Sequence, residues 1–362
     1  MIVLRTYTVQ LKLNNIQQRK IDSWFYEGKC FYNFCLAQED IFKINACSVK
    51  NVNKFDKNKN LINVNLENIP SKVKQNIHRR ICDSIKALSA SKNKGKNIGR
   101  LKFKSELPSL YFDNQSVNII NGEIRLLGFG RQTIKCFGIE QFKPTDIIKC
   151  ATLKRFNNKY MLNISVARIK PDRQSTNKQV GLDFGIKDTV ITSEGDKFKC
   201  ILPETKKLKK LQRKLARSIS INGKTKTNNQ RKTRIKLQKE YQHIVNQKKD
   251  FTNKLCSYLD KNFDIIAFQD EQIKGWKNIA STTVQHSCLG SIKSKLISKV
   301  SEEPDRYMMI DKFKPTTKLC PNCKTKNELS LNNRVYYCSC GYSQDRDIHA
   351  ANNVLGFALG LL

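Results

Sequence analysis

The sequence predicts an α+β chain of several domains: an N-terminal helical region and a small, wedge-like β-barrel, then an α/β domain interrupted late by a cysteine clip. Three observations carry this. Helical periodicity governs much of the first 90 residues. Short alternating runs separated by Gly, Asn and Pro replace it between Leu107 and Arg168, and strands alternate with helices after Lys178. Two tight cysteine pairs sit close to the C-terminal end. At 362 residues there is room for two or three cores.

Each element has its own signal. Tyr7, Val9, Leu11 and Leu13 alternate with polar residues, as in a strand. From Ile16 the apolar residues Ile21, Trp24, Phe25, Cys30, Phe31 and Phe34 recur on one helical face. Residues 44–66, rich in Asn and Lys, read as a loop, and Ser71–Leu88 as a second helix. "SASKNKGKNIGRLKFKS" then reads as a flexible basic joint. "IIKCATLKRF" and "YMLNISVARI" are β runs, and Asn121–Gly122 marks a tight turn. After the linker Lys170–Lys178, "QVGLDFGIKDTVITSEGDKFKCIL" gives three strands. Leu208, Leu211 and Leu215 form one stripe of a basic helix. Beyond the polar loop "SINGKTKTNNQ", Leu237, Tyr241, Ile244, Phe251, Leu255 and Tyr258 mark a return helix. "FDIIAFQDE" is a strand, "VQHSCLGSIKSKLISKV" a helix, "RYMMIDKF" a strand and "DIHAANNVLGFALGLL" a closing helix.

The charge narrows the function. Lys and Arg number 67 against 31 Asp and Glu, a formal net charge of +36. So much like charge repels itself in a compact state and calls for a polyanionic partner, of which nucleic acid is the commonest. A membrane surface would want a basic amphipathic helix beside a hydrophobic anchor, and neither is present. The first residues alternate instead of forming an apolar block, which places the expected location in the cytoplasm, not outside the cell. Of the thirteen cysteines, nine are dispersed (Cys30, Cys35, Cys47, Cys82, Cys136, Cys150, Cys200, Cys256 and Cys288) and read as small core residues.

The other four are different. Cys320-Pro-Asn-Cys323 and Cys338-Ser-Cys340 are two knuckles joined by a short β-like stretch, the arrangement of a zinc ribbon. The second pair is one residue tighter than usual. With every position a thiolate and none left open, one structural Zn²⁺ is expected.

In so basic a chain, acids at strand ends need a reason. Asp183 lies inside the apolar strand "VGLDFGIK". The order of elements is strand with Asp, two strands, helices, strand ending in acid, helix, strand, helix with Asp. That is the order of the RNase-H-like fold, whose carboxylates from the first strand, fourth strand and last helix converge on two Mg²⁺ or Mn²⁺ ions. Hard oxygen ligands suit those ions.

The sequence here resembles the TnpB (OrfB) proteins of bacterial transposable elements, relatives of the type V CRISPR effectors. The matching segments are "VGLDFGIKDTVITSEG", "QDEQIKGW", "VQHSCLGSIKSKL", "KPTTKLCPNC" and "YYCSCGYSQDRDIHAANN", with "GRLKFKS" in the matching order. "QDE" and "QHSCLG" are similar to the subgroup carried beside a serine recombinase. The resemblance implies an RNA-guided, Mg²⁺-dependent endonuclease of a transposable element, with a guide RNA from the element's end, a double-stranded DNA target and a RuvC-type site. The older label is transposase or transposase accessory protein.

Residue by residue, the resemblance gives Asp183 as the first acid and Asp347 as the last, with Asp345 a contender that could instead cap a helix. The middle acid departs: the family's glutamate aligns with Gln269, an amide that cannot neutralise a divalent ion. Residues 269 and 271 share a strand face, so Glu271 is the favoured replacement, with Asp270, Glu302, Glu303 or no working acid as alternatives. His349 stands where the family usually has Asn. A guided binder that does not cut is the alternative function, and a plain DNA-binding accessory factor a third.

The implied domains are 1–15, the first strand of the β-barrel; 16–100, a helical recognition region; 101–170, the barrel; 171–315, the nuclease domain with a basic hairpin at 204–260; 316–343, the zinc ribbon; and 344–362, the last nuclease helix. Lys206, Lys207, Lys210, Arg213, Lys214, Arg217, Arg231 and Arg234 are candidate phosphate contacts. Lysines and arginines around "IHRRICDSIKAL" and "KNKGKNIGRLKFK" would by resemblance line the guide–target channel. Tyr111 and Phe112 are candidates for base stacking or for the β core.

Overall fold

The structure, a computed structural model, describes the chain outside residues 1, 56–57, 157–158, 171–172, 201, 203–204, 223–226, 277, 279–283, 285–286 and 331–332. It is a mixed α+β fold of several sheets, divided into two compact units, Met1–Pro171 and Asp172–Leu362.

The first unit is built on an antiparallel sheet. Its strands are β1 (Ile2–Leu11), β4 (Ser109–Asp113), β7 (Cys136–Phe137), β8 (Ile147–Phe156) and β9 (Lys159–Ile169), in the order β4-β8-β9-β1-β7. The chain's first strand lies against its last in this unit, from Ile2 opposite Ile169 to Leu11 opposite Tyr160. Helices α1 (Asn15–Ala37) and α2 (Ser71–Asn93) share its core through Trp24, Phe31, Val73 and Ile81. Asn14 caps α1 with a reciprocal Gln17 bond, a capping box. Strands β5 (Val117–Ile120) and β6 (Glu123–Leu126) turn at Asn121–Gly122, both left-handed at φ 47° and 74°, as the Asn-Gly pair predicts.

Three expectations change here. Residues 44–66 hold a hairpin, β2 (Asn51–Phe55) and β3 (Leu61–Asn65), because Val52 and Val64 alternate inward among the asparagines. Helix α2 runs past Leu88 to Asn93, taking the start of the basic joint with it. Cys47 is exposed, its sulfur accepting a bond from Gln75 at 2.8 Å, and is not a core residue. Phe112 is fully buried in the core, whereas Tyr111 is half-buried with the Arg79 guanidinium 5.6 Å from its ring centroid.

The second unit carries the sheet β12-β11-β10-β13-β14, with β10 (Gln179–Asp183), β11 (Val190–Thr192), β12 (Lys197–Phe198), β13 (Ile265–Gln269) and β14 (Tyr307–Ile310). Strands β10–β12 meander antiparallel, whereas β13 and β14 run parallel to β10. That is the RNase-H-like arrangement. Between β12 and β13 rise α3 (Lys206–Asn222) and the long α4 (Asn228–Asn262); part of the loop joining them lies outside the described residues. Leu255, Leu259 and Phe263 at the end of α4 and Leu289, Ile292 and Leu296 of α5 (Leu289–Glu302) fill one face of the sheet. The other face receives α6 (Arg346–Ala358) through Ala267, Ile310 and Val354. Cys200 and Cys288 are buried but also paired as a disulfide, which the reading of them as separate core thiols did not include.

Between β14 and α6 the ribbon strands β15 (Val335–Tyr337) and β16 (Ser343–Asp345) form a small antiparallel hairpin. No linker follows β16: its last residue, Asp345, is the N-cap of α6.

Candidate active site

Strand alternation decides which side chains meet α6. Val180 and Leu182 point into the core shared with α4 and α5, so Gly181 and Asp183 turn to the opposite face. Gly181 is what lets the helix come close. A Cβ there would lie 1.9 Å from the Ala351 carbonyl oxygen and 3.0 Å from Leu355 Cβ. Gly181→Ala is therefore expected to cost about 3 kcal/mol by overpacking and to lift α6 off β10. Urea denaturation checks the first effect.

Asp183, at the end of β10, senses two other carboxylates. Burial first, then the charges of Asp347 and Glu271, push it up to about 8, with Arg346 pulling the other way. Asp347 is in the first turn of α6 and Glu271 lies two residues beyond the end of β13. These three sequence-predicted acids thus share one electrostatic neighbourhood, and Asp183 would hold its proton near neutral pH unless a cation compensated it.

The alternatives for the middle acid have other partners. Asp270 forms an ion pair with Lys293 at 2.6 Å, and Glu303 pairs with Arg306 at 2.7 Å and Lys299 at 3.3 Å. Lys293 also donates to the Glu271 carbonyl at 2.5 Å, so one lysine of α5 pins the turn that follows β13. Burial raises Glu271 above the usual carboxylate range while Lys293 lowers it. Asp345 accepts bonds from the Asp347 and Ile348 amides and pairs with Lys197, acting as a cap.

Gln269 has a structural assignment. Its amide nitrogen, Nε2, donates to the Asp311 and Lys314 carbonyls at 3.1 and 3.0 Å, and its Oε1 accepts from Thr316 at 3.1 Å. The buried amide thereby ties down the chain leading to the ribbon. A glutamate would present an oxygen to two carbonyls. Gln269→Glu is expected to destabilise the fold by roughly 2–4 kcal/mol through two lost bonds and a buried charge. A urea midpoint equal to wild type would overturn this structural assignment of Gln269.

The ribbon holds a candidate zinc site of its own. Cys320, Cys323, Cys338 and Cys340 place their sulfurs within 4.8 Å of one another, with Cys320–Cys340 at 3.5 Å and Cys323–Cys338 at 3.4 Å. Four sulfurs around one zinc at about 2.3 Å stand about 3.8 Å apart, so the set fits a tetrahedral ion. The first knuckle closes with the Cys320 amide on the Thr325 carbonyl. The tighter second closes with the Cys338 amide on the Tyr342 carbonyl, one residue sooner. Lys324 and Gly341, each just after a pair, take the left-handed conformation at φ 60° and 88°.

Side chains weld this ribbon to α6. His349 is buried and stacks on Tyr336 of β15, ring centroids 3.8 Å apart. Burial lowers it to about 4, so it is a neutral packing residue near pH 7. Asn353 donates to the Thr316 and Leu319 carbonyls, each at 2.7 Å, immediately before Cys320.

The basic hairpin divides. Lys206, Lys210, Arg213, Lys214 and Arg217 are exposed on α3, and with Lys209 line one shallow groove. From Lys206 to Arg217 it spans about 16 Å of helix. Lys207 instead pairs with Glu240 of α4 at 2.5 Å, holding the hairpin together. Arg231 is exposed and Arg234 half-buried near the start of α4. Sequence reasoning missed Lys293 and Gly181; a glycine inside an apolar strand signals close backbone approach and could have revealed the latter. Gln285 and His286 of "QHSCLG" lie outside the described residues.

Two stretches of the chain match known protein families. Residues 162–280 match the OrfB_IS605 family, described as "Probable transposase". Residues 290–354 match "Cas12f1-like, TNB domain". A Streptomyces pristinaespiralis protein named "Putative RNA-guided DNA endonuclease" is 29% identical over 191 residues, 51% of this chain and 46% of that protein. "TnpB-like protein L79" of Acanthamoeba polyphaga mimivirus is 25% identical over 244 residues, 61% of this chain and 46% of that one. The chain thus spans about half the length of these curated relatives. A chain from a Cas12f1–sgRNA–target DNA complex aligns over 78% of this chain and 71% of its own, at 12% identity and a TM-score of 0.43.

Proposed function

We propose, from the matches of residues 162–280 and 290–354 to the OrfB_IS605 family and the Cas12f1-like TNB domain, that this chain is a TnpB-like, RNA-guided endonuclease of a transposable element that cuts double-stranded DNA. The observation that carries the proposal is the meeting of Asp183, Glu271 and Asp347 on the α6 face of the sheet, in a chain of net charge +36. Three carboxylates held together in a half-buried site suit two Mg²⁺ or Mn²⁺ ions. When bound, such ions supply a water acidic enough to attack the phosphodiester and charge to stabilise the leaving oxygen.

The protein's own residues do the rest. Asp183 from β10 and Asp347 from α6 hold the two walls of the site, and Glu271 closes it from the turn after β13. Lys293 orients that turn through the Glu271 carbonyl and neutralises Asp270. The α3 stripe tracks phosphates without reading bases. The guide RNA, taken from the element's end, supplies the sequence reading by pairing. One structural zinc completes the ribbon. A partnership with a co-encoded serine recombinase rests on the "QDE" and "QHSCLG" segments, and a cytoplasmic location on the N-terminal pattern.

A plasmid cleavage assay tests the reading, with the protein co-expressed with RNA from its own flanking region and supplied with Mg²⁺. Linearisation that depends on a matched target supports it. Guided binding with no cutting under any divalent ion would favour the binder, with Gln269 as the substituted ligand.

A further inference from the structure

Three strands of the second sheet finish at one edge. β10, β13 and β14 are parallel neighbours, and their last residues, Asp183, Gln269 and Ile310, close the same end of the sheet. Parallel strands receive ligands outside their carboxyl ends. Asp183 and Glu271 already occupy that edge. Phe313 stands on it too, three residues past the end of β14. β14 is two strand spacings, on the order of 10 Å, from β10.

Phe313 is the most exposed aromatic ring among the described residues, at 81%. A single exposed apolar side chain is ordinary on a protein surface, but this one sits on a fixed backbone. Its amide donates to Asp311 Oδ1 at 2.7 Å, and the Lys314 amide donates to the Asp311 carbonyl at 3.2 Å, which makes a tight turn. The buried Gln269 amide then holds both ends of that turn by the Asp311 and Lys314 carbonyls. The core gains nothing from the ring, so a turn anchored this well presents it to something outside. Its surroundings indicate what. The Lys312 ammonium lies 4.7 Å from the ring centroid, and Lys314 follows directly. Among the described residues neither lysine is paired with a carboxylate. A protein hot spot would bring an apolar patch around the ring, whereas Asp311, Lys312 and Lys314 are charged. A flat ring between two cations suits a flat, anionic partner, whose base stacks while its phosphates meet the lysines.

We propose that Phe313 is a base-stacking residue for an unpaired DNA strand, at the sheet edge that carries Asp183 and Glu271. A duplex keeps its base faces stacked inside, so only an unpaired stretch offers one to the ring. Stacking holds the strand against the edge while the three carboxylates serve the phosphodiester, and it makes this edge favour unpaired DNA over duplex. The inference rests on the proposed function for the identity of the strand, and its binding does not require that the carboxylates cut.

The test uses the full-length Phe313→Trp protein in buffer free of divalent ions, where binding is read without cutting. Its added tryptophan emission, taken as the difference from wild type, reports this position. An oligothymidylate of about 20 nucleotides is expected to quench that emission, while an abasic strand of equal length and a relaxed circular duplex leave it unchanged. By fluorescence anisotropy, Phe313→Ala is expected to weaken oligothymidylate binding roughly fivefold or more, with the same salt slope and unchanged melting. Phe313→Leu should bind as weakly, because apolar bulk without a ring face does not stack. If the protein never cuts DNA, quenching by the oligothymidylate still supports stacking, and only the nuclease reading falls. Absent quenching, equal quenching by the abasic strand, quenching confined to an oligouridylate, or Phe313→Leu binding like wild type would each overturn the proposal.

Discussion

Asp183→Asn is expected to abolish DNA cutting while leaving guided target binding intact. The neutral isostere keeps the shape of the site but removes the carboxylate common to both neighbours, at the point where Asp347 and Glu271 converge. Losing about 4 kcal/mol of charge stabilisation lowers the cleavage rate ~10³-fold. Glu271→Gln should approach the same loss, whereas Asp270→Asn, which only frees Lys293, should cost less than about tenfold. Single-turnover cleavage and a binding assay, run side by side, separate the steps. Asp270→Asn matching Asp183→Asn would transfer the middle role to Asp270.

The same substitution has an opposite effect on stability. Asp183 binds its proton more tightly folded, at about 8, than an unfolded aspartate near 3.9. Between those values the native state holds more protons, so the metal-free protein loses stability as pH rises from about 4 to 8. Asp183→Asn removes that loss and is expected to raise the melting temperature at pH 8, by roughly 2–4 °C for each kcal/mol of relieved repulsion. A lower melting temperature in the variant at pH 8 would contradict the crowding of the three acids.

Cys320→Ser is expected to empty the ribbon of zinc and to unfold more than the ribbon. Zinc binding to such four-thiolate sites contributes on the order of 10 kcal/mol to small domains, so losing one ligand removes most of the clip. The damage spreads because β16 continues without a break into the cap of α6, while Tyr336 stacks on His349 and Leu319 is bonded to Asn353. A loss of at least ~4 kcal/mol is expected, with a melting shift of about 8–16 °C. Cleavage should fall more than tenfold because Asp347 lies one residue beyond Arg346, whose side chain donates to ribbon carbonyls. Zinc content by atomic absorption and calorimetry check this; unchanged melting with lost zinc would make the clip an appendage.

How much of this was legible depended on whether the signal was local. The four cysteines, the Asn121–Gly122 turn and the β10–β12 meander could be read because spacing or alternation within a few residues specified them. The β2–β3 hairpin was hidden because its apolar face has few members, Val52 and Val64, among asparagines of low strand propensity. The order of strands and helices was legible, but not that Gln269 would spend its amide on the chain before the ribbon, since Asp311, Lys314 and Thr316 are 42 to 47 residues away. Lys293 was obscure for the same reason, lying 22 residues from the turn it holds. The pairing of Cys200 with Cys288 spans 88 residues and has no local signature at all.

The unbroken passage from β16 into α6 imposes a chronology on the newly made protein. Zinc closure of the ribbon is expected to fix the strand that ends in the α6 cap, and with it Asp347, so that the acidic trio would be assembled last. Under the proposed nuclease function, zinc would then act before Mg²⁺ in maturation, and newly synthesised chains would not cut until the ribbon had closed. Zinc added to zinc-stripped protein in Mg²⁺ buffer should therefore start cutting only after a lag equal to the closing time of the ribbon.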